Sequence, residues 1–136
     1  MAQVPVETAI ASNPELTTFA HVIRASGLAR KLNSAPSLTV FAPDNSAFAD
    51  FGAGNVRTLL ASKRDLAHLV DYDVVAGQVT QARLAGGKPL TSLLGTRLYP
   101  ATSQTGGYKV DNSPVACGNI QTANATLYIV SDLLIR

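Results

Sequence analysis

The spacing of apolar positions changes character near Val74: upstream they recur every three or four residues, downstream mostly every second residue. The first spacing puts side chains on one face of a helix, the second on one face of a strand. Pro5 fits the first turn of a short helix through Ala11, and Asn13-Pro14-Glu15 has the form of a cap, a first-turn proline and a first-turn acid. A second helix is predicted over 14–26, with Leu16, Phe19, Ala20 and Ile23 inward and Gly27 as a left-handed stop. Leu28, Leu32 and a turn over 33–36 end this helical opening.

In the stretch TVFAPDNSAF the period switches twice within ten residues. Leu38, Val40 and Ala42 alternate with Thr39 and Phe41, which predicts a strand over 38–42. Pro43 then removes a backbone donor, and Asp44 can accept the free N–H groups that open a helix from Asn45 to about Phe51. Residues 52–55 read as a flexible break, with Asn55 capping a helix that carries Val56, Leu59 and Leu60. Another helix carries Leu66, Leu69 and Val70, and 72–76 is expected to be extended up to Gly77. Thr80 can cap a short turn through Leu84. Strand-like runs follow at 90–94, 97–101, 108–110 and 126–130, separated by the turn formers Gly95-Thr96, Gly106-Gly107 and Asp111-Asn112. Helices first and strands afterwards predict an α+β fold.

The chain has 136 residues, enough for one domain that buries roughly two-thirds of its unfolded surface. A single domain over 1–136 is therefore expected. A hydrophobic fraction of 46% against 15% charged residues excludes a disordered chain. Eleven Lys plus Arg against nine Asp plus Glu leave a net charge of +2, and Arg24, Arg30, Lys31, Arg57, Lys63, Arg64 and Arg83 are scattered. Nucleic acid is a poor partner for such a surface, which offers neither converging cations nor aromatics clustered with them. No apolar segment approaches the roughly 18 residues that span a bilayer, and MAQVPVETAI lacks the form of a signal peptide. Met1 ahead of AQVPV is also what remains once a leader is trimmed, so these opening residues leave the compartment undecided.

Candidate chemistry is sparse. His21 and His68, the two histidines, fall inside predicted helices, and GxSxG, HExxH and Walker patterns are absent. Two distant histidines and one cysteine make no metal-ligand set, and no cofactor motif is present. Cys117 reads either as a small buried hydrophobe or, in an extracellular protein, as half of a disulfide to another chain or to sequence outside these residues. Asn124-Ala125-Thr126 matches an N-glycosylation acceptor, but it leads into a predicted core strand, which favours a structural role for Asn124 in the preceding turn.

Three segments together resemble the fasciclin-like domain: TVFAPDNSAF, LVDYDVVAGQ over 69–78, and KVDNSPVACGNIQTANATLYIVSDLLI over 109–135. With NPELTTF near the start, the resemblance covers essentially the whole chain. ASNPELTT, VVAGQ and Cys117-Gly118 with TANAT are similar in particular to the secreted fasciclin-type antigens of mycobacteria and related bacterial single-domain members. The fold this implies is a β-wedge of two small sheets with helices packed along one side, in which the strand-to-helix junction is a structural corner.

The resemblance also implies a function: a non-enzymatic extracellular domain, secreted or held at the cell surface by a signal or anchor outside these residues, that adheres to a matrix or cell-surface protein. A monomer without cofactor, metal or membrane span is expected. In animal members adhesion is assigned to an Asp-Ile pair before the Asn bend and to a Tyr-His segment. The corresponding candidates for partner binding here are Asn119 with Ile120 and Tyr72 with Asp73. An amide at 119 is a weaker ligand for a hard cation than a carboxylate, so recognition through a bridging divalent ion is not expected. The same positions admit a structural reading, with Tyr72 and Ile120 filling the core. A different class of function, carriage of an apolar ligand or lipid between helices and sheet, would need an apolar cleft there, and hydrolysis would need a nucleophile beside His21 or His68.

Overall fold

The computed structural model describes residues 5–34, 37–77, 79, 84, 86–93, 95, 97–102, 108–110, 113–122 and 124–130. Six helices, α1 (Val6–Ser12), α2 (Thr17–Ser26), α3 (Ala29–Ser34), α4 (Asn45–Phe51), α5 (Ala53–Leu60) and α6 (Lys63–Tyr72), belong to the first half, interrupted by β1 (Leu38–Pro43). The second half supplies β2 (Val74–Ala76), β3 (Leu90–Thr91), β4 (Arg97–Leu98), β5 (Pro100–Thr102), β6 (Tyr108–Val110), β7 (Ser113–Gln121) and β8 (Ala125–Val130). The fold class is α+β, as the order of periodicities implies. The sheets are a six-stranded one, ordered β2-β1-β8-β7-β6-β5, and a two-stranded one of β3 with β4. β1 runs parallel to β8 from Leu38↔Ala125 to Pro43↔Val130, and the other pairings are antiparallel.

The central pair β1–β8 is buried along its whole length, so both strands are apolar on both faces. Their period of two divides the interior into two cores. Leu38, Val40 and Ala42 of β1 and Ala125, Leu127 and Ile129 of β8 point toward the helices, joining Ile10, Phe19, Ile23, Phe48, Leu66 and Val70. Phe41, Tyr128 and Val130 point the other way, joining Tyr72, Val75, Val79, Leu84, Leu90, Leu98 and Val110. Phe41 and Tyr128 stack there with ring centroids 5.5 Å apart. The one polar β1 side chain on this second face, Thr39, is satisfied: its hydroxyl donates to Gly77 O and accepts from Val79 N, each at 2.8 Å. Tyr128 Oη donates to Val79 O at 2.7 Å, pinning the chain beyond β2 over the sheet.

The TVFAPDNSAF junction forms as its residues dictate. Asp44 caps α4 by accepting from Ala47 N at 2.9 Å. Asn45 reaches back to α2, whose own N-cap residue, Leu16, has no side-chain acceptor: Oδ1 accepts from Thr18 N and Nδ2 donates to Pro14 O, both at 3.0 Å. The junction is thus a corner that fastens one helix to the start of another.

Three expectations need correction. The second helix starts at Thr17 rather than Pro14, because Asn13 Oδ1 takes Glu15 N into a local turn. The expected break over 52–55 shrinks to Gly52 at φ 101°, and Asn55 lies inside α5 with Nδ2 donating to Phe51 O instead of capping. Tyr72 is the last residue of α6 rather than extended, since Asp73 N continues the turn onto the Leu69 and Val70 carbonyls. Thr80, Thr96, Gly106-Gly107 and Asp111-Asn112 lie outside the described residues.

Candidate functional site

The candidate positions lie at two places in the fold. Tyr72 and Asp73 form the corner where α6 turns into β2. Leu66, Leu69 and Val70 anchor α6 in the helix-side core, so the side chain after them rotates to the opposite side, and Tyr72 enters the second core at 1% exposure. Asp73 follows with no exposed surface. Its backbone is engaged on both sides, N–H to α6 and C=O accepting from Phe41 N at 2.8 Å, but both carboxylate oxygens are buried without a hydrogen-bond partner. Burial pushes the Asp73 carboxyl well above the usual carboxylate range.

Asn119 and Ile120 lie on β7, which pairs with β8 through Val115↔Val130, Cys117↔Ile129, Ile120↔Leu127 and Gln121↔Thr126. Register shifts on both sides of Cys117 bend this strand and re-aim its residues. Ile120 is half-buried against the helix-side core. The side chains of Asn119 and Cys117 lie outside the described residues. The two candidate pairs therefore sit on different elements, Tyr72-Asp73 sealed at a corner and Asn119-Ile120 on β7, where Ile120 is half-buried.

Asn124, just before β8, ties three elements together. Its Oδ1 accepts from Val6 N at 3.0 Å, and its Nδ2 donates to Leu32 O at 2.7 Å and Asn33 O at 3.3 Å. Asn33 Oδ1 in turn accepts from Glu7 N at 2.8 Å. The first two amides of α1, which Pro5 has no side-chain acceptor to cap, are thus satisfied from a distance. With its amide so engaged and Thr126 buried at 1% exposure, the acceptor tripeptide is part of the folded interior.

His21 and His68 are exposed on α2 and α6, and among the described residues neither imidazole makes a hydrogen bond. Among the described residues no three His, Cys, Asp or Glu side chains gather as a metal site, and no helix is long and apolar enough to cross a membrane. Among the described residues, the side chains between the helices and the central strands form the first core. Sequence reasoning overlooked Tyr99, the one exposed large hydrophobic side chain among the described residues at 48%, because it sits between two short strands that read as one run.

The Fasciclin domain model matches residues 14–136. The chain belongs to the fasciclin family. It is 37% identical to "Immunogenic protein MPB70" of Mycobacterium bovis, over 98% of this chain and 70% of that protein. It is 34% identical to "Cell surface glycolipoprotein MPB83" of the same species, over 98% of this chain and 61% of that protein. An uncharacterized protein of Synechocystis sp. is 32% identical over 96% of both chains. The FAS1 domain pair from the insect cell adhesion molecule Fasciclin I shares the fold, with TM-score 0.75, 17% identity and coverage of 91% of this chain and 46% of that one.

Proposed function

We propose that this fasciclin domain is a non-enzymatic, extracellular protein-binding module that mediates adhesion to a matrix or cell-surface protein. The observation that carries the reading is similarity along nearly the whole chain to mycobacterial proteins named as an immunogenic protein and a cell surface glycolipoprotein. The fold shared with part of an insect cell adhesion molecule is consistent with it. A binding module also suits a domain whose two histidines are exposed and, among the described residues, make no hydrogen bond, since a hydrolase needs a base oriented toward a nucleophile. Within this reading the contact involves β7 at Asn119 and Ile120, where the register of the strand shifts and Ile120 is half-buried, while Tyr72 and Asp73 shape the fold from within.

The test is binding of the immobilised domain to a panel of purified matrix and cell-surface proteins, with Asn119→Ala as the site variant. Saturable binding to a panel member, weakened in an Asn119→Ala protein that keeps the wild-type unfolding midpoint, is the expected result. Absence of saturable binding across the panel refutes the adhesion reading, and binding unchanged by the substitution refutes the site.

A further inference from the structure

Among the described residues, Asp73 is the side chain with both carboxylate oxygens buried and without a hydrogen-bond partner. Thr39, equally buried, has two hydrogen bonds, whereas the Asp73 carboxylate has none at zero exposure. It sits at the seam between the cores: Val70 before it and Val74 after it belong to the helix-side core, Tyr72 and Val75 to the other. Two backbone hydrogen bonds close this seam, Phe41 N to Asp73 O and Leu93 N to Val74 O, each 2.8 Å. The second ties Leu93, two residues beyond β3, to β2, next to the isolated bridge Val75↔Ser92.

Among the described residues no countercharge supports the ionised carboxylate. β1, β2 and β3 carry no ionisable side chain. On α6, Asp71 lies 3.7 Å from Lys31 Nζ of α3, and Tyr72 is buried, while Lys63, Arg64, Asp65 and His68 are exposed. On the packed helices α2 and α5, His21 and Arg57 are exposed, and Arg24 pairs with Glu7 at 2.7 Å. Tyr128 of β8 gives its hydroxyl to Val79 O. An isolated carboxylate in such a site is far costlier than the neutral acid.

We propose that Asp73 is a proton-operated latch on the α6–β2 corner: protonated, it lets the seam close; ionised, it drives the Phe41–Asp73 and Leu93–Val74 links open so that the carboxylate reaches water. The sign follows from linkage. The closed corner binds the proton more tightly than the open one, so closing is strongest below the ordinary Asp pKa. It weakens as pH rises from there to the raised pKa of the closed state, about tenfold in the opening constant per pH unit, and is constant beyond it. Burial alone accounts for the raised pKa.

Amide hydrogen exchange of the whole chain, followed by NMR from roughly pH 4 to 9, reads this directly. Ala20, bonded to Leu16 O within the helix layer, is the reference. Within the window, Phe41 and Leu93 should accelerate with pH about tenfold per unit more steeply than Ala20, and Asp73→Asn should abolish the excess. The latch is refuted if all three amides share one slope, or if a folded Asp73→Asn keeps the excess. If Asp73→Asn fails to fold, the carboxyl carbon-13 titration of the wild type decides. A midpoint above the ordinary Asp range that coincides with the end of the steep phase at Phe41 and Leu93 upholds the latch, and an ordinary midpoint refutes it.

Discussion

Removing the Asn124 amide should unfasten α1 and α3 from the start of β8. Asn124→Ala deletes the acceptor for Val6 N and the donor to Leu32 O, bonds of 3.0 and 2.7 Å, together with the weaker 3.3 Å contact to Asn33 O. Alanine leaves one amide and one carbonyl in partly buried surroundings, and each orphaned group costs about 1–3 kcal/mol. Partial solvent access places both toward the lower end, so the expected loss is about 2–4 kcal/mol. For a domain of this size that lowers the melting temperature by roughly 6–16 °C. Urea unfolding followed by circular dichroism gives the free energy, and exchange of the Val6 amide gives the local effect. Asn124→Asp separates the two halves: it keeps an acceptor for Val6 N but turns an oxygen toward the Leu32 and Asn33 carbonyls, so the Val6 amide should stay protected while stability still falls. A loss below about 0.5 kcal/mol for Asn124→Ala, the range of an ordinary surface change, would refute the clamp.

Tyr128→Phe, which strands Val79 O under the sheet, should cost about 1–3 kcal/mol in urea unfolding with little change in m-value. Asp44→Ala removes the α4 cap and should cost about 1 kcal/mol, with Asp44→Asn retaining most of it. Leu127→Ala opens the helix-side core between β1 and β7 and should cost about 2–5 kcal/mol by the same assay. In the binding experiment, Tyr72→Ala should lose activity only in proportion to the unfolded fraction, since Tyr72 presents no surface to a partner. Restoration of binding by a stabilising second substitution elsewhere is the outcome that checks this.

The strands and helices whose signals are local were legible from their residues. The period of two at 38–42, the Asp44 cap and the Gly27 stop each act over a few positions, and each is present. The misplaced boundaries come from competition. Pro14 can start a helix, but the Asn13 side chain offers Glu15 N a nearer partner, and Tyr72 reads as extended until Asp73 N adds one more turn to α6. The division of the interior was legible only in part: alternation along β1 separates Leu38, Val40 and Ala42 from Phe41, but which face meets helices depends on β8 lying parallel beside it. The candidate site was least legible. Tyr72 admits a core reading from its sequence, and it lies in a core, but only the turn between the two cores reveals that Asp73 beside it is sealed as well.

The same contrast explains why asparagine carries so much of this fold. α1 and α2 begin at residues unable to cap them, Pro5 and Leu16, and both are capped by asparagine side chains from elsewhere: Asn124 and Asn33 serve α1, and Asn45 serves α2. An amide can accept from a helix N-terminus and donate to a carbonyl at once, so Asn124 and Asn45 each serve both kinds of group while joining separate elements. A carboxylate in the same places would cap the helix but leave the carbonyl without a donor. Asp73 shows the converse, a carboxyl where the backbone already satisfies itself and nothing is left to donate. Asparagines that fasten and an aspartate that strains therefore follow from a single rule: a buried polar side chain stabilises this domain only where the groups around it lack a partner that it can supply.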